Sequence, residues 1–77
     1  MKYYTLETIN NGRTVKIHKK FTTRDQAIDY AFAYFESRYN DGLQVEDVYN
    51  IADNKHNVEY VLDYYNRFRI NRVLTGA

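Results

Sequence analysis

The residue types that most often carry chemistry occur in this chain, but their spacing matches no catalytic or metal-binding pattern. The two histidines, His18 and His56, lie far apart in the sequence, and neither belongs to a motif such as H-E-x-x-H. Gly12, Gly42 and Gly76 form no glycine-rich phosphate loop, and there is no cysteine for a thiolate site or a disulfide. We therefore expect no enzymatic activity, no cofactor and no metal site.

A different chemistry is indicated by basic side chains that are interleaved with aromatic ones. Such a mixture could hold a phosphate backbone and stack bases, and it could equally solvate an open sheet face or form part of a protein interface. If the first strand lies beside the last, the candidate residues share one face: Tyr3, Lys16, His18, Lys20, Tyr65, Arg67 and Arg69. If the first strand lies beside the third instead, Glu46 interrupts this basic region.

Composition limits the classes of protein to which the chain can belong. Its 77 residues have room for one domain, residues 1–77, and 44% hydrophobic residues are too many for a disordered chain. A net charge of +1 argues against a polycationic nucleic-acid coat and against an acidic DNA mimic, although residues 1–21 and 64–77 are basic and the middle is acidic. With no long apolar run and no signal-peptide core, we expect no membrane association and a cytoplasmic location.

The first element that could position the basic residues is a β-hairpin. Asn11-Gly12 is the preferred pair for a two-residue type I′ turn, because both positions need a positive φ. This turn predicts the pairs Asn10–Arg13, Thr8–Val15, Leu6–Ile17 and Tyr4–Lys19. One face of the hairpin is then apolar, and the other is charged.

A helix is predicted to follow the hairpin. Thr23 and Gln26 fit a capping box at its beginning, and Asn40-Asp41-Gly42 is a stop signal at its end. Apolar residues recur with helical spacing at Ile28, Ala31, Phe32 and Phe35, and Tyr39 extends the stripe.

The remainder, residues 43–74, fits two interpretations. From Val58 onward a helix is conceivable, since Val58, Val61, Leu62 and Tyr65 share a helical face. The density of β-branched and aromatic residues favours three strands instead. A turn at Asn54-Lys55 pairs Ile51 with Val58 and Tyr49 with Tyr60. A three-residue loop, residues 65–67, pairs Tyr64 with Phe68 and Leu62 with Ile70.

These elements predict an α+β fold of two layers with the order ββαβββ, in which one helix packs on one face of a five-stranded, mostly antiparallel, curved sheet. Three charged residues fall on the helix-covered face, Lys19, Asp47 and Arg72, and the predicted register brings Asp47 and Arg72 close enough for an ion pair. The helix-free face carries four scattered apolar residues: Ile9, Val48, Val61 and Val73.

The scattered apolar residues and the balanced charge predict a non-enzymatic interaction module. We expect it to bind a protein partner or a second copy of itself, as a homodimer, through the helix-free sheet face or an edge strand. The alternative is binding of single-stranded nucleic acid or RNA by the basic, tyrosine-bearing face. We expect no small-molecule ligand.

Overall fold

The computed structural model describes residues 1–37, 48–63 and 65–75. These residues form β1 (Lys2–Asn10), β2 (Arg13–Phe21), α1 (Arg24–Glu36), β3 (Tyr49–Asp53), β4 (Asn57–Val61) and β5 (Asn66–Leu74). The strands pair antiparallel in one unclosed sheet of order β2-β1-β5-β4-β3, and α1 packs on one face of it. The α+β class and the ββαβββ order are thus confirmed, and the helical alternative from Val58 onward is wrong. Of the two neighbours left open for the first strand, the structure has the last strand, β5.

The core lies where α1 covers the middle of the sheet. Leu6, Ile70 and Val58 stand side by side on β1, β5 and β4, and each is at most 1% exposed. Phe68, two residues before Ile70 on the same face of β5, is fully buried. Its ring stacks on that of Tyr60, with 5.2 Å between the ring centroids. Burial of each such aliphatic or aromatic side chain contributes roughly 1.5–3 kcal/mol. The middle of the sheet is therefore the main source of stability.

The helix begins at the predicted cap, Thr23, but the second hydrogen bond of the capping box involves the N–H of Thr22 and not that of Thr23. The Thr23 hydroxyl accepts a hydrogen bond from the Gln26 N–H at 3.2 Å, and the Gln26 side-chain oxygen accepts one from the Thr22 N–H at 3.2 Å. Ala27, Ala31 and Phe35 are buried against the sheet. The helix ends at Glu36, before the predicted stop, and residues 39–42 lie outside the described residues.

The first hairpin has the predicted turn. Asn11 and Gly12 have φ values of 50° and 82°. The strand pairs match the prediction from the turn as far as Leu6–Ile17. The Tyr4–Lys19 pair is wrong, because the register shifts between Tyr4 and Leu6 so that Tyr4 lies opposite Phe21. This shift brings Phe21 into the core, where it is 5% exposed. Lys19 keeps the predicted face and places its ammonium group 4.9 Å from the centre of the Tyr30 ring on α1.

The predicted β3–β4 register is wrong. Tyr49 pairs with Val61, and a second shift between Asn50 and Ala52 leaves Ile51 outside the ladder. The Asn50 side-chain amide bridges this irregularity, since it donates hydrogen bonds to the carbonyl oxygens of Ala52 at 3.0 Å and Glu59 at 3.2 Å. Tyr49 therefore shares the helix-free face with Val61 and is 69% exposed, and Ile51 is 53% exposed instead of buried.

The predicted β4–β5 loop is also wrong. Asn66 and Arg67 already belong to β5, and Ile70 lies opposite Val58 instead of Leu62. The Asp63 carboxylate closes the observed turn by accepting hydrogen bonds from the N–H groups of Tyr65 at 2.8 Å and Asn66 at 2.9 Å. The displacement is an even number of residues, so the side chains of β5 keep their predicted faces.

Two further side-chain placements differ from the prediction. Val48 packs against the core instead of lying on the helix-free face. The predicted pairing of Leu62 with Ile70 also places Arg72 opposite Tyr60, and this is wrong. Arg72 lies opposite Tyr4 on β1, two residues beyond the Val58–Ile70 pair. The predicted partner of Arg72, Asp47, lies outside the described residues.

Replacement of Gly12 by alanine tests the turn. A Cβ atom at Gly12 would meet no heavy atom within 4 Å, so the effect comes from the backbone conformation alone. We expect Gly12→Ala to lower the free energy of unfolding in urea by about 1–2 kcal/mol, because a side chain disfavours a positive φ. Gly12→Asn should cost less, since asparagine tolerates this region. Equal stability of the wild type and both variants would contradict the assigned turn.

Replacement of Thr23 by alanine tests the helix cap. We expect Thr23→Ala to destabilise the protein by about 1 kcal/mol in urea unfolding, because the Gln26 N–H loses its acceptor. Thr22→Ala is the matched control, since only the backbone N–H of Thr22 takes part in the cap. If both variants lose the same stability, the hydroxyl of Thr23 is not the cap.

Candidate functional site

The sheet face opposite α1, here called the helix-free face, carries the candidate residues. The β1–β5 pairing places all of them on or at the border of this face, as the sequence predicts for that strand order. They do not form one continuous basic patch, however. A row of ion pairs divides them into two groups.

The dividing row runs across three strands through alternating charges. Glu7 on β1, Arg69 on β5 and Glu59 on β4 are direct cross-strand neighbours, and Lys16 on β2 lies opposite Glu7. The Arg69 guanidinium lies 3.5 Å from a Glu7 oxygen and 3.4 Å from a Glu59 oxygen, and Arg67 lies 3.5 Å from Glu59. The two arginines of the candidate set are thus each paired with a carboxylate within the sheet, which lowers the net positive charge of this part of the face.

The first group, here called the basic corner, consists of Tyr3, Lys16, His18 and Lys20. These residues surround a surface depression of about 390 Å³ beside the outer strand β2. Lys16, His18 and Lys20 are exposed, and Tyr3 is half-buried. The Lys20 ammonium group lies 4.8 Å from the centre of the Tyr3 ring, which is a cation–π contact. The basic corner therefore offers excess positive charge, but the tyrosine ring is partly occupied by a lysine.

The second group lies at the opposite end of the face, between the β1–β2 and β4–β5 turns. Tyr65 and Arg67 line a depression of about 320 Å³ together with Ile9 and Val61. The Asn11 N–H donates a hydrogen bond to the Tyr65 carbonyl at 2.8 Å, which ties the two turns together. Ile9 is only 4% exposed although no helix covers it, so part of the scattered apolar set is already protected by its neighbours.

A cavity on the helix side of the sheet was not anticipated from the sequence. It measures about 180 Å³ and brings together residues from α1, the β3–β4 turn and β5, with Arg24, Lys55, His56 and Arg72 among its lining. The one available signal was the presence of Arg72 on the apolar face of a strand.

Two negative findings apply to the part of the chain that the structure describes. There, no three His, Cys, Asp or Glu side chains gather in a way that could hold a metal ion. Over the same residues, no helix is both long and apolar enough to cross a membrane.

Comparison with protein-family models, with curated proteins and with solved structures finds no significant match to this chain.

The dividing row of ion pairs can be tested by its effect on stability. We expect Glu59→Gln to lower the free energy of unfolding in urea by about 1 kcal/mol and Glu7→Gln by about half as much. Glu59 is the more buried of the two, with 13% of its side chain exposed, and it contacts two arginines. The loss should shrink at 1 M NaCl, since salt screens these partly exposed pairs.

The matched control is Glu36→Gln, which removes the same charge from an exposed position on α1. It should change the free energy of unfolding by no more than a few tenths of a kcal/mol. If Glu36→Gln and Glu59→Gln are equally destabilising, net charge and not the row accounts for the effect.

Proposed function

We propose that this protein is a non-enzymatic interaction module that binds an extended, acidic segment of a partner protein along the free edge of β2. The observation that carries this proposal is the position of β2, a nine-residue strand at the border of the sheet that is paired on one side only. Seven of its first eight residues are exposed. Such an edge can accept a further strand through backbone hydrogen bonds.

The backbone of β2 has the geometry that strand addition requires. In a hairpin with a two-residue turn, the two residues that flank the turn exchange both backbone hydrogen bonds. Here these residues are Asn10 and Arg13. Counted from Arg13, every second residue of β2 is hydrogen-bonded to β1 through its backbone. The N–H and C=O groups of the residues between, such as Thr14 and Lys16, therefore point away from β1. An incoming strand would find unpaired donors and acceptors in the regular spacing of a β-ladder.

The charge of β2 favours an acidic partner. The strand carries four cationic side chains and no carboxylate: Arg13, Lys16, Lys19 and Lys20. Like charges would face each other if two copies paired through this edge, and lysines on edge strands oppose such pairing. A foreign acidic segment is therefore favoured over the homodimer that the composition also suggested.

The alternation of side chains along β2 narrows the partner further. Lys16 and His18 lie on the helix-free face, whereas Val15, which is 48% exposed, and the half-buried Ile17 lie on the helix side. Directly opposite residues of paired strands share a face. The partner that fits best has acidic residues at every second position and apolar residues between them.

Binding of single-stranded nucleic acid has less support than the sequence suggested. Arg67 and Arg69 are held by Glu59 and Glu7, which leaves no continuous basic track across the helix-free face. One face of the Tyr3 ring lies against Lys20, so it is less open to a stacking base. The cytoplasmic location that the sequence predicts stays a prediction.

Binding can be measured with a fluorescent peptide as long as β2, in which glutamate alternates with valine or threonine. We expect its fluorescence anisotropy to rise with protein concentration at low salt, and the amide resonances of Thr14 and Lys16 to shift in NMR spectra. A peptide with glutamine in place of glutamate should bind about tenfold more weakly. Lys16→Glu should weaken binding similarly, whereas Lys55→Glu, the same charge change at the β3–β4 turn, should not.

A second pair of variants isolates the backbone contribution. Thr14→Pro removes an outward N–H that β1 does not use, and Thr14→Ala keeps it, so only the proline variant should lose peptide binding. The proposal is abandoned if Lys16→Glu and Lys55→Glu bind equally, or if both Thr14 variants bind like wild type. Salt-sensitive binding of an oligouridylate without binding of the acidic peptide would favour the nucleic-acid alternative.

A further inference from the structure

We propose that the cavity on the helix side of the sheet is a binding site for a small phosphate-type oxyanion. The cavity lies between the N-terminal end of α1, the β3–β4 turn and the distal end of β5, and it measures about 180 Å³. It uses no residue of the basic corner and no backbone group of the β2 edge. The proposal is therefore independent of the function proposed above.

Arg72 is the residue that points most directly to an anion. Four arginines are half-buried in the described part of the chain, and three of them, Arg24, Arg67 and Arg69, contact a carboxylate. Arg72 is the fourth, and no carboxylate oxygen of the described residues lies within 4 Å of its guanidinium group. A cation that is partly removed from water without an anionic partner costs free energy, and a bound oxyanion would offset that cost.

Other cations converge on the same cavity. Arg24 is anchored by Asp53, with 2.6 Å between the guanidinium nitrogen and the carboxylate oxygen, and its remaining N–H groups are not used by this ion pair. Lys55 and His56 line the cavity from the β3–β4 turn. Arg24, Lys55 and Arg72 are three cationic side chains against the one carboxylate of Asp53, which leaves an excess of two positive charges without counting His56.

The β3–β4 turn holds its part of the site in place without engaging the cationic side chains. The Asn54 side-chain oxygen accepts hydrogen bonds from the N–H groups of His56 at 2.8 Å and Asn57 at 3.1 Å. The Arg72 N–H donates a hydrogen bond to the His56 carbonyl at 2.8 Å. These backbone contacts position Lys55 and His56 beside Arg72 before any ligand arrives, which lowers the entropy cost of binding.

Size and donor chemistry identify the ligand class. A cavity of about 180 Å³ is smaller than the roughly 300–1,000 Å³ of sites for drug-sized ligands, and it suits a single phosphate group better than a nucleotide. Arginine guanidinium groups match the oxygens of phosphate in a two-pronged arrangement. The hydroxyl group of Tyr4, which also lines the cavity, is a further donor. Free phosphate and a small phosphomonoester share this chemistry.

The site can be tested by NMR titration at low, constant ionic strength, with potassium chloride as the reference salt. We expect inorganic phosphate to shift the backbone amide resonances of Lys55, His56 and Arg72 at millimolar concentrations. Glycerol phosphate is titrated in parallel. Tighter binding of glycerol phosphate would identify a phosphomonoester as the ligand, and tighter binding of inorganic phosphate would identify the free ion.

Matched variants separate a site from a general response to charge. Arg72→Gln should weaken phosphate binding about tenfold, as expected for the loss of one charge-assisted contact. Arg13→Gln removes the same charge from the exposed end of β2 and should change the affinity less than twofold. Lys55→Gln, in an exposed turn where folding is not at risk, should also weaken binding. The proposal is overturned if phosphate shifts no resonance of the cavity, or if Arg13→Gln weakens binding as much as Arg72→Gln.

Discussion

The pairing of β1 with β5 is the contact on which the rest of the structure depends. It runs from Lys2 opposite Leu74 to Asn10 opposite Asn66, whose side chains are also hydrogen-bonded to each other. These partners lie more than fifty residues apart, so their pairing closes a long loop and loses much chain entropy. Burial of Leu6 and its neighbours under α1 offsets that loss, and both hairpins gain a common core only through this contact.

One register of this pairing serves both faces of the sheet. Leu6, Ile70 and Val58 form the buried row. The residues adjacent to them in sequence form the row of ion pairs on the other face: Glu7, Arg69 and Glu59. Because neighbouring residues in a strand point to opposite faces, a slip by one residue would move charged side chains under the helix. Hydrophobic burial and charge pairing thus select the same alignment of three strands.

The two edges of the sheet and the cavity near α1 divide the remaining surface into distinct environments. The β2 edge is long, basic and exposed, and its charge selects against a second copy of the same strand. The β3 edge is short and carries the exposed Tyr49 and Ile51. Arg72 belongs to neither edge, because it lines the cavity on the helix side at the end of β5. The surface that we propose for strand addition is therefore distinct from the pocket that we propose for a small anion.

Local signals in the sequence were sufficient for the first turn, for the start of the helix and for the faces of the β5 side chains. The Asn11-Gly12 turn, the Thr23 cap and the faces of the β5 side chains follow from backbone preferences and from alternation, which act within a few residues. The same alternation placed Lys16 and the other candidate residues on one face, once β1 was taken to neighbour β5.

Only the tertiary structure decided the strand order, the shifted registers and the use of the charges. The position of Tyr49 depends on an asparagine side chain that interrupts the β3–β4 ladder, and that of Ile70 depends on the Asp63 carboxylate closing the β4–β5 turn. Whether an arginine is paired with carboxylates, like Arg69, or has none within reach among the described residues, like Arg72, depends on which strands become neighbours. The Glu7–Arg69 ion pair joins residues remote in the chain, whereas the Asn50 and Asp63 hydrogen bonds are short-range. Alternation along a strand fixes the face of a side chain, but it contains no information about register or about the neighbouring strand.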